Sequence, residues 1–454
     1  MARKIDKNLV TKSENLTKTV WILAWPVIVE MVLMTFVGIV DMAMVGQLGP
    51  ASIASVGLGN QFVMLATTAF AAIRTGTTAL VARHFGAEDS DGAHQIARQS
   101  VIMTIALAIV TLIIFYIFAE SGMRLLGAEE EVVQLGIWYI RLRTFGLVFH
   151  YFTMIFTSTL RGVGDTRTPM VVNIIINILN PILNYGFIFG NFGLPQLGVA
   201  GAALATALAQ IVGFLIIGKV IFGGKSLITL KLKDDYRYHK ESIKRILNIG
   251  LPAMGEQVAM RIAQIIFTMI LTSLGTVTYA AHQVAIRAES ISFMPGWGFG
   301  VAATTLIGQN LGALKPERAQ KSGYVARNMA LTFAIIMGVL FFFFPEHFVH
   351  FFSDDPEVVR QAAMALRLVA IAQPSMAINL VLAGALRGAG DTRWVTYITG
   401  ISVWVVRLSI AAYCVFVLDL GLLGAWMGML ADIFVRSIAF SIRYARGKWK
   451  TIEV

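Results

Sequence analysis

Two carboxylates lie where a chain suited to lipid should carry none. Glu30 and Asp41 interrupt the run Trp21–Gly46, which is otherwise almost wholly apolar. Ionising either group in hydrocarbon costs several kcal/mol, so an acid inside a span marks a functional candidate. Eleven residues separate the two, about three helical turns, which puts them on one face with Met34 and Val37 between. A second polar stripe follows: Asn173, Asn177, Asn180 and Asn184 recur at i, i+4, i+7 and i+11. Pro181 removes a backbone donor beside Asn180, so a kink and a freed carbonyl are expected there. A carboxylate facing two amides and a freed carbonyl suits a proton or a small cation. Asp41, Asn180 and Asn184 are therefore the expected ion-coupling residues, with Glu30, Met34, Val37, Asn173 and Asn177 lining a substrate cavity. The plainer alternative is that these polar groups only hold helices together. Glu30 in particular has Arg74 or a backbone group as a possible partner.

The second half of the chain distributes its charge differently. Glu256, Arg261, Arg287 and Glu289 read as a charged network, either structural or moving with transport. Arg407 and the Asp432/Arg436 pair read as structural. Other motifs carry no chemistry. Gly213–Lys219 resembles a phosphate-binding loop in its glycine and lysine spacing, but it lacks the Ser/Thr and lies in an apolar run. No nucleotide-driven pump is implied. His347, His350 and Asp354 have loose metal-like spacing and read as a solvated helix end, so no metal or cofactor is expected beyond a coupling proton, with sodium as the alternative.

The elements that must position these residues are membrane helices. The chain is 57% hydrophobic and only 14% charged, outside the range of soluble domains. Apolar runs of about 20 residues recur along its length, and we read twelve spans, the first at about 19–45 and the last at about 421–444. The net charge of +11 does not imply nucleic acid, because the positive residues gather in short loops and tails. Lys225, Lys231, Lys233, Arg237 and Lys240 lie between spans six and seven, and Arg443, Arg446, Lys448 and Lys450 end the chain. The loops holding Glu129–Glu131 and Asp354–Glu357 are acidic. By the positive-inside rule both termini face the cytoplasm. The basic first 18 residues read as a cytoplasmic lead-in and not as a cleaved leader. The single Cys414 excludes an intrachain disulfide.

The chain also repeats itself. Leu160–Arg167 reads LRGVGDTR and Leu386–Arg393 reads LRGAGDTR, an offset of 386 − 160 = 226. The same offset pairs Pro26 with Pro252, Glu30 with Glu256 and Gly49 with Gly275. Six spans per repeat place both halves in the same orientation, related by an axis along the membrane normal, with a cavity between them. The expected organisation is an all-α polytopic protein with an N-terminal six-helix lobe at 1–222, a cytoplasmic linker at 223–242 and a C-terminal lobe at 243–454. The doubled motif itself reads as a structural hinge: its glycines permit a turn, and its Asp or Thr caps the next helix.

Twelve spans in two parallel halves, a polar linker and LRGxGDTR at both junctions resemble the multidrug and toxic compound extrusion (MATE) family. The Asp41 run is similar to the DinF-like branch. That resemblance implies that the first-span Asp couples ions to drug release, with polar groups of span five as partners. Asn184 stands where some members carry an Asp. The NorM-like branch is implied to use a span-seven Glu with a span-ten Asp; Glu256 matches the first, and Met376 stands in place of the second. The resemblance implies a monomeric antiporter of the plasma membrane that exports small lipophilic, mostly cationic compounds by alternating access. A lone buried carboxylate can always take a proton, so proton coupling is expected ahead of sodium. The nearest rival is a lipid-linked precursor flippase of the same superfamily, which should show a strongly basic cavity and extra spans. An intramembrane enzyme would need a nucleophile or metal set at matched depth, and a channel would need a re-entrant filter; neither pattern is found.

Overall fold

The computed structural model describes residues 13–224, 226–231 and 233–453; the first twelve residues of the basic lead-in, and Lys225 of the expected linker, lie outside them. Among the described residues the chain is all-helical and holds twelve helices long and apolar enough to cross a membrane. The first half comprises α1 (Leu16–Gly46), α2 (Pro50–Gly86), α3 (Ser90–Leu125), α4 (Glu130–Gly162), α5 (Arg167–Phe189) and α6 (Gly198–Phe222). The second comprises α7 (Lys240–Thr272), α8 (Thr276–Gly312), α9 (Pro316–Phe343), the short α10 (Pro345–His350), α11 (Pro356–Gly388), α12 (Thr392–Ile401), α13 (Leu408–Phe416) and α14 (Gly421–Ala445). Several helices run past the apolar stretch that betrayed them. The second span continues past its apolar run through Arg83 and His84 to Gly86, because a helix needs no lipid once its backbone is already bonded. The eleventh span is not one regular helix: a π turn, Ser402–Arg407, joins α12 to α13.

Contacts divide the chain into two compact units. Among the described residues, one comprises Val29–Gly250; the other comprises Leu251 onward together with residues 13–28. The division falls inside α1 and α7, two to three residues after Pro26 and one to two residues before Pro252. In the N-terminal unit α4 packs against α2, α3 and α6, and α6 packs against α5. In the C-terminal unit α11 takes the central place, against α8, α9 and α14.

The doubled motif closes the same contact in each unit. Thr78 Oγ1 donates to the carbonyl of Ser158 at 3.4 Å, and its counterpart Thr304 donates to Gly384 at 2.8 Å. Gly388 lies so close to α8 that a Cβ there would fall 2.3 Å from the carbonyl oxygen of Thr304. Gly164 and Gly390 then turn the chain at φ +89° and +86°, a region where other residues are strained. Asp165 caps α5, accepting from the Thr168 N–H at 3.0 Å and its hydroxyl at 2.6 Å. Asp391 instead accepts from Arg443 Nε at 2.8 Å.

Candidate functional site

In the N-terminal unit α1 and α5 meet in a matched register. Glu30 and Asn173 are 143 residues apart, as are Asp41 and Asn184. The eleven-residue step between the acids is thus repeated between their amide partners. Asn184 Nδ2 donates to Asp41 Oδ1 at 2.6 Å. The orientation of Asn180 that satisfies both of its neighbours turns its nitrogen to Asp41, at 2.8 and 3.1 Å from the two carboxylate oxygens, and its oxygen to Thr206 Oγ1 at 3.1 Å. Asn184 Oδ1 is buried and has no partner. Asp41 is therefore a half-buried carboxylate whose oxygens are met by amide donors, while the positive charge acting on it comes from Arg143 on α4. The same guanidinium acts on Tyr139 and His150. Such a group can accept a proton at the cost of its amide hydrogen bonds, which favour the ionised form.

Glu30 forms a separate centre one register step away. It is 7% exposed and accepts from Asn173 Nδ2 at 3.0 Å and from Arg161 Nη2 at 2.6 Å. The polar stripe on α5 is thus divided: Asn173 serves Glu30, while Asn180 and Asn184 serve Asp41. Asn177 lies between them, half-buried. Of the two apolar cavity candidates, Met34 is 61% exposed and Val37 is half-buried.

The C-terminal unit repeats the second centre and not the first. Glu256 accepts from Arg387 Nη2 through both oxygens at 2.8 Å, and from Thr399 Oγ1 at 3.1 Å. These three residues are Glu30, Arg161 and Asn173 displaced by 226. Arg261 and Arg287 are exposed and make no ion pair, so neither joins Glu256 or Glu289. The place of Asp41 is taken by Phe267, buried and packed against the ring of His282 at 5.8 Å. Asp432, fully buried, accepts through Oδ2 from Arg436 at 2.7 Å and from Nε of Arg407 at 3.0 Å.

Sequence reasoning missed Arg161, Arg387, Thr399 and Thr206. The signal for the arginines was present: the offset that pairs Glu30 with Glu256 also pairs Arg161 with Arg387. Nothing in the periodicity pointed to Thr206, which lies on a helix rich in alanine.

Comparison with known proteins agrees with this architecture. The MatE family profile matches residues 26–186 and again 252–413, and the two starts differ by 252 − 26 = 226, the register of the internal repeat. The chain belongs to the MATE family; it is a multi-pass membrane transporter and not an enzyme. It is 33% identical to a probable multidrug resistance protein NorM of Thermotoga maritima, covering 99% of this chain and 97% of the relative. It is 27% identical to the multidrug resistance protein MdtK of Yersinia pseudotuberculosis, over 93% of each chain. Among solved structures it resembles a MATE transporter of the MOP superfamily in an outward-facing conformation, at 25% identity and a TM-score of 0.91, covering 99% of both chains. A MOP superfamily transporter from Pyrococcus furiosus, described as having a binding pocket of reverse polarity, is similar at 25% identity and a TM-score of 0.90 over 99% of this chain and 100% of the other.

Proposed function

We propose that this chain is a proton-coupled multidrug antiporter that exports small lipophilic, mostly cationic compounds. The multidrug resistance names of its full-length relatives support efflux. One observation carries the coupling ion: the groups that reach the Asp41 carboxylate are amide nitrogens, that of Asn184 and, in the orientation that satisfies it, that of Asn180. A hard cation such as sodium requires several oxygen ligands, whereas a proton requires only the carboxylate itself. In this reading the ionised form of Asp41 is held by Asn180 and Asn184. Protonation releases those amides, α1 and α5 lose the hydrogen bonds they share at Asp41, and the N-terminal unit gives up its substrate. Ion and substrate are then linked by a coupling free energy of about 1–3 kcal/mol. The basic loops support a plasma-membrane orientation with both termini in the cytoplasm, and the protein acts as a monomer through alternating access.

Sodium is the second reading, and the unpartnered Asn184 Oδ1 favours it, since that oxygen is a ready ligand beside Asp41. Purified protein in liposomes separates the two. Under the proton reading an inward pH gradient drives export of a fluorescent cation in sodium-free buffer. Export that requires sodium and ignores the pH gradient would transfer the assignment to the oxygen set.

A further inference from the structure

Six carboxylates are buried among the described residues: Glu30, Asp165, Glu256, Glu289, Asp391 and Asp432. Five of them accept hydrogen bonds from arginine, amide, hydroxyl or backbone donors. Glu289 is the exception: it is 5% exposed, and no donor reaches its carboxylate. It sits on α8 one turn before Ser292 and two before Gly296, which line a small cavity with Gln373, Met376 and Ala377. Gln373 is 1% exposed, and its Nε2, facing that region from α11, has no partner.

The surrounding charges are unbalanced without Glu289. Arg407 at the end of the π turn and Arg436 on α14 share the single Oδ2 of Asp432, while Asp432 Oδ1 and Arg436 Nε are buried without partners. That trio carries one excess positive charge, and the field of Arg407 acts on Glu289. On the same helix, His282 is also buried and felt by Arg407, while Arg287 is exposed. The segments of α9 and α11 that face this depth, Asn328–Phe343 and Leu368–Leu386, contain no ionisable residue. Ionised, Glu289 balances the charge but lacks a donor. Protonated, it sheds its charge and leaves Arg407 in surplus. Each state leaves one buried group uncompensated, so neither is locked, in contrast with Glu256 under its arginine.

We infer that Glu289 is a second proton-loading carboxyl, housed in the C-terminal unit and separate from Asp41, which takes up one proton and returns it in each transport cycle. Its role in the cycle rests on the antiport reading above; its titration does not. Infrared difference spectra of the purified full-length protein, recorded as pH is stepped, test the titration directly. Two protonated-carboxyl bands are expected, one lost in D41N and the other in E289Q. In E289D the second band should move but persist. Should E289Q fold poorly, labelling the wild-type protein with carbon-13 glutamate must shift that band and leave the Asp41 band in place. A spectrum unchanged by E289Q, or a second band untouched by the label, overturns the inference. In liposomes held at a tenfold proton gradient, losing one of two coupled protons should lower the steady-state substrate gradient about tenfold in E289Q. An unchanged gradient in E289Q overturns the coupling role even if the band titrates. Failure of any pH-driven export in the wild type would sink the antiport reading while leaving the infrared result to stand.

Discussion

Asp41 and Phe267 occupy the same place in the repeat, and the two units have made opposite use of it. In the N-terminal unit that place holds a carboxylate met by two amides. In the C-terminal unit it holds a buried ring packed on His282. The partners changed along with it. Asn180 and Asn184 become Val406 and Ile410, and Pro181 becomes Arg407, where the helix widens into a π turn. Yet one step further along the register the units agree in detail, each sealing a buried glutamate with the arginine of its own LRGxGDTR motif. Duplication has kept the part that supports each unit and released the part that gives each its chemistry. On the proposed reading the agreement marks structure, and the disagreement marks function.

Four sets of variants test that contrast. The largest expected effect is at the position that differs. Asp41→Asn should insert at normal abundance yet lower drug export by at least about tenfold, while Phe267→Leu, a size-tolerant change at the equivalent place, leaves export near wild type. Equal losses in both would erase the functional asymmetry. Next come the positions that agree. Arg161→Ala and Arg387→Ala each strand a buried carboxylate and should each cost roughly 3–5 kcal/mol of stability, read as thermal melting in detergent. Pairing each with Glu30→Gln or Glu256→Gln should recover most of that loss. A large loss from one arginine and none from the other would show that the shared motif does unequal structural work.

A smaller difference is expected at the helix contacts. A Cβ at Gly388 meets the backbone carbonyl of Thr304 at 2.3 Å, whereas at Gly162 the nearest atom is a Val81 methyl at 2.8 Å, which can move. Gly388→Ala should cost about 1–3 kcal/mol and Gly162→Ala less, again by melting temperature. The smallest effect lies outside the membrane spans. Asp89 caps α3 through the Gly92 N–H at 2.9 Å, while its counterpart Lys315 makes no side-chain cap. Asp89→Ala should cost about 1 kcal/mol. The Gly92 hydrogen bond, helped by His84, holds the Asp89 carboxyl below its ordinary value of 3.8. Its stabilisation is thus complete above that value and fades as pH falls through the lowered one. A melting difference between wild type and Asp89→Ala that persists in strong acid would contradict the cap.

Much of this was legible in the sequence, for physical reasons that also explain what was not. Spans reveal themselves because lipid demands a long apolar stretch, and the repeat because two units solve the same packing problem. The pairing of Asp41 with Asn184 was legible because both sit in phase on helices that must hide their polar faces. Arg161 and Arg387 were read only as part of a turn. An arginine side chain is long enough to leave its own loop and reach a carboxylate on another helix, and helical periodicity carries no record of that reach. Glu256 was read in a network with Arg261, five residues away, when its partner lay 131 residues off. The π turn was invisible for a related reason: a widened helix turn needs no special residue type, and Ser402–Arg407 is mostly apolar like the helices on either side.

That separation of 131 residues, the same for Glu30 and Arg161 as for Glu256 and Arg387, sets a schedule for the chain as it is made. At about 5–20 residues per second, each glutamate leaves the ribosome roughly 7–26 s before the arginine that neutralises it. During that interval the first helix of each half carries an acid with no partner, and it cannot be held firmly in the hydrocarbon while that acid is charged. Neither half can lock until its fourth helix arrives. The newborn protein therefore passes twice through the same waiting period, once in each half, between the first span and the fourth.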